Sequence, residues 1–199
     1  MEVFIFLGVI FLVVILIIGF NNGQKLKVRE QTMNEVLNKL KSEGFDMDHV
    51  IVSPEVKDIA VFNRNNKSIV LIHLYDEGEY HKTTFDINEL IGVEIEENGK
   101  VVSRVSNKSM IARASVGGIL AGGVGAVIGG ITAKQKSTQE ADEIKLKFIV
   151  DDLKNPFRRI TIRNKVNRYK IKYQDAIDKA QIWSMTITNM MKEIGAEVE

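Results

Sequence analysis

Side chains able to perform acid–base or metal chemistry are few in this sequence, and their spacing does not suit such chemistry. The three histidines, His49, His73 and His81, lack metal-ligand spacing, and the chain contains no cysteine. No candidate nucleophile has an evident base beside it. The sequence therefore predicts a protein without metal or cofactor, and one that is not an enzyme.

Three glutamates, Glu94, Glu96 and Glu97, lie close together and are the best candidates for a carboxylate pair. They stand at the end of a predicted strand, which favours a solvated strand end over a catalytic site. His73 falls in the middle of another predicted strand. That position indicates a half-buried histidine whose hydrogen bonds are satisfied within the fold.

The glycines Gly123, Gly125 and Gly129 form a loose version of the dinucleotide-binding pattern. That pattern requires a strand before it, a helix after it and an acidic residue about 20 positions later, all within a βαβ unit. The flanking strands are predicted to be antiparallel here, and Glu143 begins a strand instead of ending one. No Gly-Lys-Ser/Thr sequence is present either, so the pattern argues against nucleotide binding.

One stretch, between Phe157 and Tyr173, is strongly basic and contains no acidic residue, although the net charge of the chain is only +1. Beside a membrane, such a cluster is attracted to anionic lipid by about 1 kcal/mol per charge. The alternative is a solvated strand edge whose charges discourage edge pairing. Nucleic acid is a weaker alternative because aromatic residues are few here. The residues predicted to bind lipid or a partner are Arg158, Arg159, Arg163, Lys165, Arg168 and Lys170.

The N-terminus carries the clearest signal for a membrane. Val3 to Phe20, VFIFLGVIFLVVILIIGF, is apolar and uncharged, and it is just long enough to span a hydrocarbon core of about 30 Å. Its length and the absence of a preceding Lys or Arg favour an uncleaved transmembrane anchor, residues 1–23, over a signal peptide. Lys25, Lys27 and Arg29 follow at once. The positive-inside rule then places the N-terminus outside and the remaining chain in the cytoplasm.

Two amphipathic helices are predicted, one on each side of the β segments. The first is a linker helix within residues 24–45 that packs on the domain and ends at Gly44; its apolar stripe is Met33, Val36, Leu37 and Leu40. The second closes the chain and ends at Gly195; its stripe is Tyr173, Ile177, Ala180, Trp183, Ile187, Met190, Met191 and Ile194. Both stripes are interpreted as core-facing surfaces.

From His49 onward the chain predicts short strands rich in β-branched residues. Six precede a glycine-rich stretch and two follow it: HVIVS, KDIAVFN, SIVLIHLY, YHKTTF, VEIEE and KVVSRVS, then EIKLKFIVDD and FRRITIR. Ser68–Tyr75 is apolar on both faces, as expected of a central strand. Asn63–Lys67 and Glu97–Lys100 predict hairpin turns, and Asn98-Gly99 favours type I′. The last two segments alternate apolar and polar residues, which indicates burial of one face.

The glycine-rich stretch, residues 112–136, has small residues repeating every four positions in two neighbouring rows. On a helix these rows form a smooth face that allows another helix to approach closely in lipid. In water the same helix would be unstable, because each glycine costs about 1 kcal/mol relative to alanine. The predicted helix-packing residues are Gly118, Gly122, Gly125 and Gly129. A same-side hairpin turning near Gly122-Gly123 and a single spanning helix both remain open, with a water-exposed loop as a further alternative.

The order of elements resembles a pleckstrin-homology-like (PH-like) fold between His49 and Ile194, with antiparallel strands capped by a C-terminal helix. The sequence also resembles small membrane-anchored proteins of Gram-positive bacteria and their phages, in which a PH-like β domain is interrupted by a glycine-zipper segment. The residues that carry this likeness are Asp86, Ile87, Leu90, Val93, Gly99, Gly117–Gly130 and Pro156. The resemblance implies an α+β, mainly β fold, and it implies no particular activity or binding residues.

These observations predict an anchor (1–23), a linker helix (24–45) and a PH-like β-sandwich or barrel (46–199) with the glycine-rich insert. The expected function is that of a non-enzymatic, membrane-anchored cytoplasmic binding or scaffold protein. Its expected partners are anionic lipid, a membrane protein or further copies of itself. The alternative is a pore-forming or membrane-perturbing effector in phage exclusion or abortive infection.

Overall fold

The computed structural model describes residues 2–45, 47, 49–107, 141–164, 171–195 and 198, and the side chains of residues 2–18 lie outside that description. Helix α1 comes first, the eight strands β1 to β8 follow, and helix α2 closes the chain. Their bounds are α1 Glu2–Ser42, β1 Val50–Val52, β2 Asp58–Asn63, β3 Ser68–Leu74, β4 Tyr80–Asp86, β5 Leu90–Glu97, β6 Lys100–Ser106, β7 Glu143–Val150, β8 Phe157–Asn164 and α2 Tyr173–Glu193.

The eight predicted strands are all present and form two antiparallel sheets. Sheet 1 has the order β1-β2-β3-β4, and sheet 2 has the order β6-β5-β7-β8. The prediction of Ser68–Tyr75 as a central strand is confirmed, because β3 lies between β2 and β4. The alternation predicted for the last two strands is also confirmed, with Ile144, Leu146, Phe148 and Val150 buried in β7 and Ile160 and Ile162 buried in β8.

One detail of the strand directions was predicted wrongly. The strands that flank the glycine-rich stretch, β6 and β7, both pair antiparallel with β5. They therefore run parallel to each other, with β5 between them. A chain that links parallel strands must return from one end of the sheet to the other. Local sequence patterns could not show this, because it depends on which strand lies between the two.

Side chains from both sheets and from α2 form one core. Trp183 of α2 lies at its centre, 3% exposed, with its ring centroid 6.3 Å from that of Phe62 and 6.2 Å from that of Phe148. The predicted stripe of α2 faces this core, and its members from Ile177 to Met191 are buried. Gly195 ends the helix with a positive φ, which glycine adopts without steric cost.

The hairpin turns follow the sequence prediction. Asn98 and Gly99 have φ of 48° and 78°, as a type I′ turn requires of both central residues. Lys67 in the β2–β3 turn also has a positive φ. A short 3₁₀ helix, Ile87–Glu89, joins the two sheets and was not predicted. The Glu89 carboxylate accepts a hydrogen bond from the Asp86 amide at its start, at 2.9 Å.

At the N-terminus the structure has one continuous helix where the sequence suggested an anchor followed by a separate linker helix. The linker part packs on the domain as predicted, since Val36 and Leu40 are 4% and 2% exposed. Gly44 has a φ of 86° and ends the helix at the expected place. Among the residues whose side chains the structure describes, from residue 19 onward, no helix presents an apolar run long enough to cross a membrane. The anchor over residues 1–23 stays a prediction.

Candidate functional site

The second half of α1 lies on the outer face of sheet 1, the face turned away from the shared core. Val36 and Leu40 belong to a buried apolar cluster with residues of β2 and β3; these are Ile59, Val61, Val70, Ile72 and Leu74. Met33, Leu37 and Leu26 pack against the same cluster. The apolar side chains of the helix and those of the sheet bury each other's surface, and this burial fixes the second half of α1 to sheet 1.

Polar contacts hold the same helix to two turns at one end of sheet 1. Lys25 Nζ lies 2.8 Å and Arg29 Nε 3.4 Å from the Asp76 carboxylate in the β3–β4 turn. Arg29 Nη1 donates a hydrogen bond to Glu55 O, in the β1–β2 turn, at 2.5 Å. Gly78 lies so close that a Cβ there would be 3.5 Å from Val28 Cγ1. We call this end of the domain, with the β1–β2 and β3–β4 turns, the anchor end.

The ion pair at the anchor end affects the protonation of both partners. The hydrogen bond from Lys25 lowers the pKa of Asp76 below its ordinary value, and the same bond raises the pKa of Lys25. Both side chains are partly exposed, at 30% and 51%. Solvent screens such a pair, so it contributes orientation and not much stability.

The end of β8 lies close to the β1–β2 turn. Residues from this turn, from the end of β8 and from the start of α2 line one cavity of about 220 Å³: Val52, Ser53, Pro54, Val56, Ile162, Ile171 and Lys179. Ile171 and Ile162 flank the basic stretch on either side of residues 165–170. Both flanks of that stretch are thus placed at the anchor end.

The basic residues predicted to bind lipid or a partner fall into two groups. Arg158 and Arg159 begin β8 at the opposite end from Arg163. Arg158 Nη2 lies 2.9 Å from Asp152, and Arg159 Nε lies 3.6 Å from Glu96.

The second group starts with Arg163, whose guanidinium lies 5.8 Å from the Tyr173 ring centroid. Lys165, Arg168 and Lys170 lie outside the described residues. Glu96, which lies near Arg159, belongs to β5, and β7 lies between β5 and β8 in sheet 2.

A charge cluster on the outer face of sheet 2 corrects the reading of Glu94 and Glu96 as a solvated strand end. Glu94 is 0% exposed and Glu96 is 8% exposed. Arg104 on β6 donates hydrogen bonds to Glu94 Oε1, and Lys147 on β7 donates to Glu94 Oε2 at 2.6 Å. Lys147 Nζ also lies 4.6 Å from the centroid of the Phe157 ring. Alternation along one strand could not reveal this burial, because the covering side chains come from other strands.

The protonation of Glu94 reflects a competition between burial and pairing. Burial disfavours the charged carboxylate, but hydrogen bonds from Lys147 and Arg104, together with their charges, outweigh this effect. The pKa of Glu94 therefore lies below its ordinary value. A carboxylate that stays charged and fully paired is suited to structure and not to proton transfer.

Among the described residues, the histidines do not combine with acids into a metal site. His73 is exposed, which corrects the half-buried placement, and its Nδ1 lies 2.7 Å from Asp58 Oδ1. Across the described ranges no three His, Asp or Glu side chains converge as metal ligands would.

The glycine-rich stretch itself, with Gly118, Gly122, Gly125 and Gly129, lies outside the described residues. Its two flanks are described and are held firmly. Asn107 N–H donates to Ile91 O at 2.8 Å, and Asn107 bridges to Val198. On the other side, the amides of Asp142 and Glu143 donate to the Asn98 side chain at 3.1 and 3.0 Å. Both flanks thus belong to sheet 2.

Comparison with known proteins gives a family and two relatives. The model of a family described as "Glycine zipper containing PH domain" matches residues 46–164. An "Immunity protein" of Bacillus phage SPbeta is 25% identical over 182 residues, which cover 86% of this chain and 85% of the relative. An "SPbeta prophage-derived uncharacterized membrane protein YomJ" of Bacillus subtilis (strain 168) is also 25% identical over 182 residues, 86% of this chain and 75% of the relative. No solved structure matches the chain significantly.

Proposed function

Because this chain belongs to the family of glycine zipper containing PH domains, we propose that it is a non-enzymatic, membrane-anchored binding or scaffold protein. Its PH-like domain is held at the cytoplasmic face of the cell membrane by α1 and by the glycine-rich stretch. Its ligands are anionic lipid, a membrane protein or further copies of the chain.

The observation that carries this proposal is the continuity of α1. The helix runs unbroken from Glu2 to Ser42, and its second half is fixed to sheet 1. Its first half contains the uncharged run from Val3 to Phe20, about 27 Å long at 1.5 Å per residue. A helix inserted through this run holds the domain at a set distance and orientation. The description of the relative YomJ as a membrane protein supports a location at the membrane.

The pairing of sheet 2 supports same-side emergence of the glycine-rich stretch. Since β6 and β7 both pair with β5, the chain leaves sheet 2 after Asn107 and rejoins it at Glu143. One crossing of a membrane would put these two strands on opposite sides and prevent their common pairing. We therefore propose that residues 115–131 enter and leave the membrane from the cytoplasmic side. Gly118, Gly122, Gly125 and Gly129 then provide the close helix contact, within or between copies.

The positions of the basic residues along β8 limit the region that we propose for binding anionic lipid to the anchor end. Arg158 and Arg159 lie at the far end of β8 and already face Asp152 and Glu96. Arg163 lies at the anchor end, between Ile162, which lines the cavity there, and residues 165–170, which follow it along the chain. We propose that lipid headgroups bind at Arg163, Lys165, Arg168 and Lys170, at about 1 kcal/mol per charge near the surface.

Topology is the decisive test, and the cysteine-free chain makes it direct. Single variants Lys100→Cys, at an exposed position of β6, and Ser137→Cys are expressed, and intact cells and inverted vesicles are treated with a membrane-impermeant maleimide. Both cysteines should react only in inverted vesicles. Reaction of one of them in intact cells would contradict the proposal, and Glu2→Cys serves as the control expected to react from outside.

A second candidate function is favoured by the phage relative, which is described as an "Immunity protein". In this alternative the glycine-rich stretch assembles and perturbs the membrane to exclude an infecting phage. Membrane potential is measured during induced expression of the full chain and of a chain lacking residues 112–136. Depolarisation that needs residues 112–136 favours the effector, and an unchanged potential favours the binding protein.

A further inference from the structure

The cavity at the anchor end combines an apolar lining with a single cation. Its volume is about 220 Å³, and its walls come from the β1–β2 turn, the end of β8 and the first turns of α2 with the residues before them. The charged side chain in this lining is that of Lys179, and the apolar ones include those of Val52, Val56, Ile162 and Ile171. Such a lining suits an apolar group that ends in an anion.

The ammonium group of Lys179 has no counter-charge within the protein. Asp175 lies one turn earlier on α2, at a spacing that commonly gives an ion pair on a helix. Across the part of the chain that the structure describes, however, no carboxylate oxygen lies within 4.0 Å of Lys179 Nζ. The side chain is half-buried and lines the cavity instead. Its charge is therefore available to an anion that enters there.

The β1–β2 turn forms a preorganised wall of the cavity. Val56 N–H donates to Ser53 O at 2.8 Å, and the Ser53 hydroxyl oxygen accepts from the amides of Lys57 and Asp58 at 3.2 and 2.9 Å. Val56 has a φ of 52°, which is unfavourable for a β-branched residue, and it is 8% exposed. Strained backbone of this kind is concentrated at binding sites, where surrounding contacts hold it in place. A wall that is already ordered loses little entropy when a ligand binds.

The volume of the cavity limits the size of its ligand. An apolar cavity of about 150 Å³ holds benzene, which corresponds to about 25 Å³ per carbon atom. At the same ratio, the cavity at the anchor end holds roughly eight or nine carbons. Drug-sized ligands occupy about 300 Å³ or more, and a phospholipid has two long chains. The cavity therefore fits one alkyl chain of medium length.

The position of the cavity separates a dissolved anion from a phospholipid. Arg29 donates to Glu55 O in the turn that lines the cavity, and Arg29 lies about 13 Å beyond Phe20 along α1. The headgroup layer on one side of a bilayer is only about 5–8 Å thick. If α1 inserts through Val3–Phe20, an argument that rests on the proposed function, a phospholipid whose chains stay in the bilayer does not reach the cavity. A single-chain anion in water reaches it.

We propose that this cavity binds a medium-chain carboxylate of roughly eight carbons. The carboxylate pairs with the Lys179 ammonium, and the alkyl chain contacts Val52, Val56 and Ile162. Each methylene group that is buried strengthens binding by about fourfold. The affinity should therefore rise along the series from butanoate to octanoate and stop rising once the chain exceeds the length of the cavity.

Protection of the Lys179 amine tests the site in the native chain. The full chain is placed in phosphatidylcholine nanodiscs and treated with a water-soluble acylating reagent, and peptide mass spectrometry follows the modification of single lysines. Saturating octanoate should slow the modification of Lys179 about tenfold and leave unchanged that of Lys192, which is exposed in the last turn of the same helix. Octanol has the same chain without the charge. Absence of protection by octanoate, or equal protection by octanol at the same concentration, would overturn the proposal.

Binding of radiolabelled octanoate, corrected for nanodiscs without protein, tests the two halves of the site separately. Lys179→Gln removes the charge and Val52→Phe fills the cavity, and each should weaken binding about tenfold. Lys192→Gln is the matched control and should bind as the native chain does. Urea unfolding followed by Trp183 fluorescence checks that each variant is folded. Unchanged binding in a folded Lys179→Gln variant would overturn the proposal.

Two further measurements identify the ligand class and separate this site from the proposed function. Nanodiscs that contain phosphatidylglycerol should not displace octanoate; displacement would overturn the proposal in favour of a phospholipid. Labelling at Lys100→Cys and Ser137→Cys reports on membrane topology independently. Same-side labelling without octanoate binding rejects this site alone, whereas opposite-side labelling rejects the proposed function.

Discussion

The two sheets of this domain cover their outer faces in different ways. Sheet 1 presents apolar side chains, such as Val61 and Ile72, and a separate element, α1, lies on them. Sheet 2 presents charged side chains that cover one another, with Glu94 buried beneath Arg104 and Lys147. Because α1 covers sheet 1, its buried side chains contribute to the free energy of unfolding of the domain. On the outer face of sheet 2, among the described residues, the charged side chains themselves take the place of a covering helix, and this arrangement depends on every charge keeping its partner.

The largest effect is expected where α1 lies on sheet 1. Leu40→Ala removes a 2%-exposed side chain and leaves a cavity, so the free energy of unfolding should fall by about 3–4 kcal/mol. Urea unfolding of the full chain in detergent can be followed by the fluorescence of Trp183, the single tryptophan. The exposed Glu35→Ala is the control. An unchanged midpoint for Leu40→Ala would mean that the helix is an independent appendage.

A slightly smaller effect is expected in the charge cluster. Glu94→Gln keeps the shape but leaves Arg104 and Lys147 without their counter-charge, and should cost about 3 kcal/mol. The estimate is at the low end of the range because Arg104 is 24% and Lys147 12% exposed, so both regain some hydration. The same urea titration measures it, with Glu77→Gln as an exposed control. A loss below 0.5 kcal/mol, about the size of an exposed-site effect, would show that the cluster is dispensable.

The free energy of unfolding should depend on pH through the charge cluster on sheet 2 but not through the apolar face of sheet 1. Since the native pKa of Glu94 lies below the ordinary 4.5, its contribution is complete above about pH 4.5 and is lost as the pH falls through the native pKa. The stability difference between the native chain and Glu94→Gln should therefore shrink below pH 4.5. The difference between the native chain and Leu40→Ala should change little. A constant Glu94→Gln difference down to pH 3 would argue against a charged, paired Glu94.

The smallest effect is expected at the exposed pair that ties α1 to the β3–β4 turn. Asp76→Asn breaks the contacts with Lys25 and Arg29 but leaves the apolar interface intact. We expect no measurable change in the urea midpoint at physiological salt, because solvent and ions screen this pair. A decrease as large as that of Leu40→Ala would place the attachment of α1 in this ion pair and not in its apolar stripe.

The amino-acid sequence by itself determined the strands, the type I′ turn at Asn98-Gly99, the stripe of α2 and the family likeness. These features depend on local periodicity and on the conformations that glycine and asparagine allow, both of which are visible in a single stretch of chain. The sequence also determined that Leu40 and its neighbours form a buried face.

The tertiary structure alone decided what covers Glu94, that β6 and β7 run parallel, and that both flanks of the glycine-rich stretch belong to sheet 2. Each of these depends on residues far apart in the chain. The burial of Glu94 comes from Arg104 and Lys147, 10 and 53 positions away. A pattern within one strand tells which face a side chain is on, and only the neighbouring strands decide whether water reaches it.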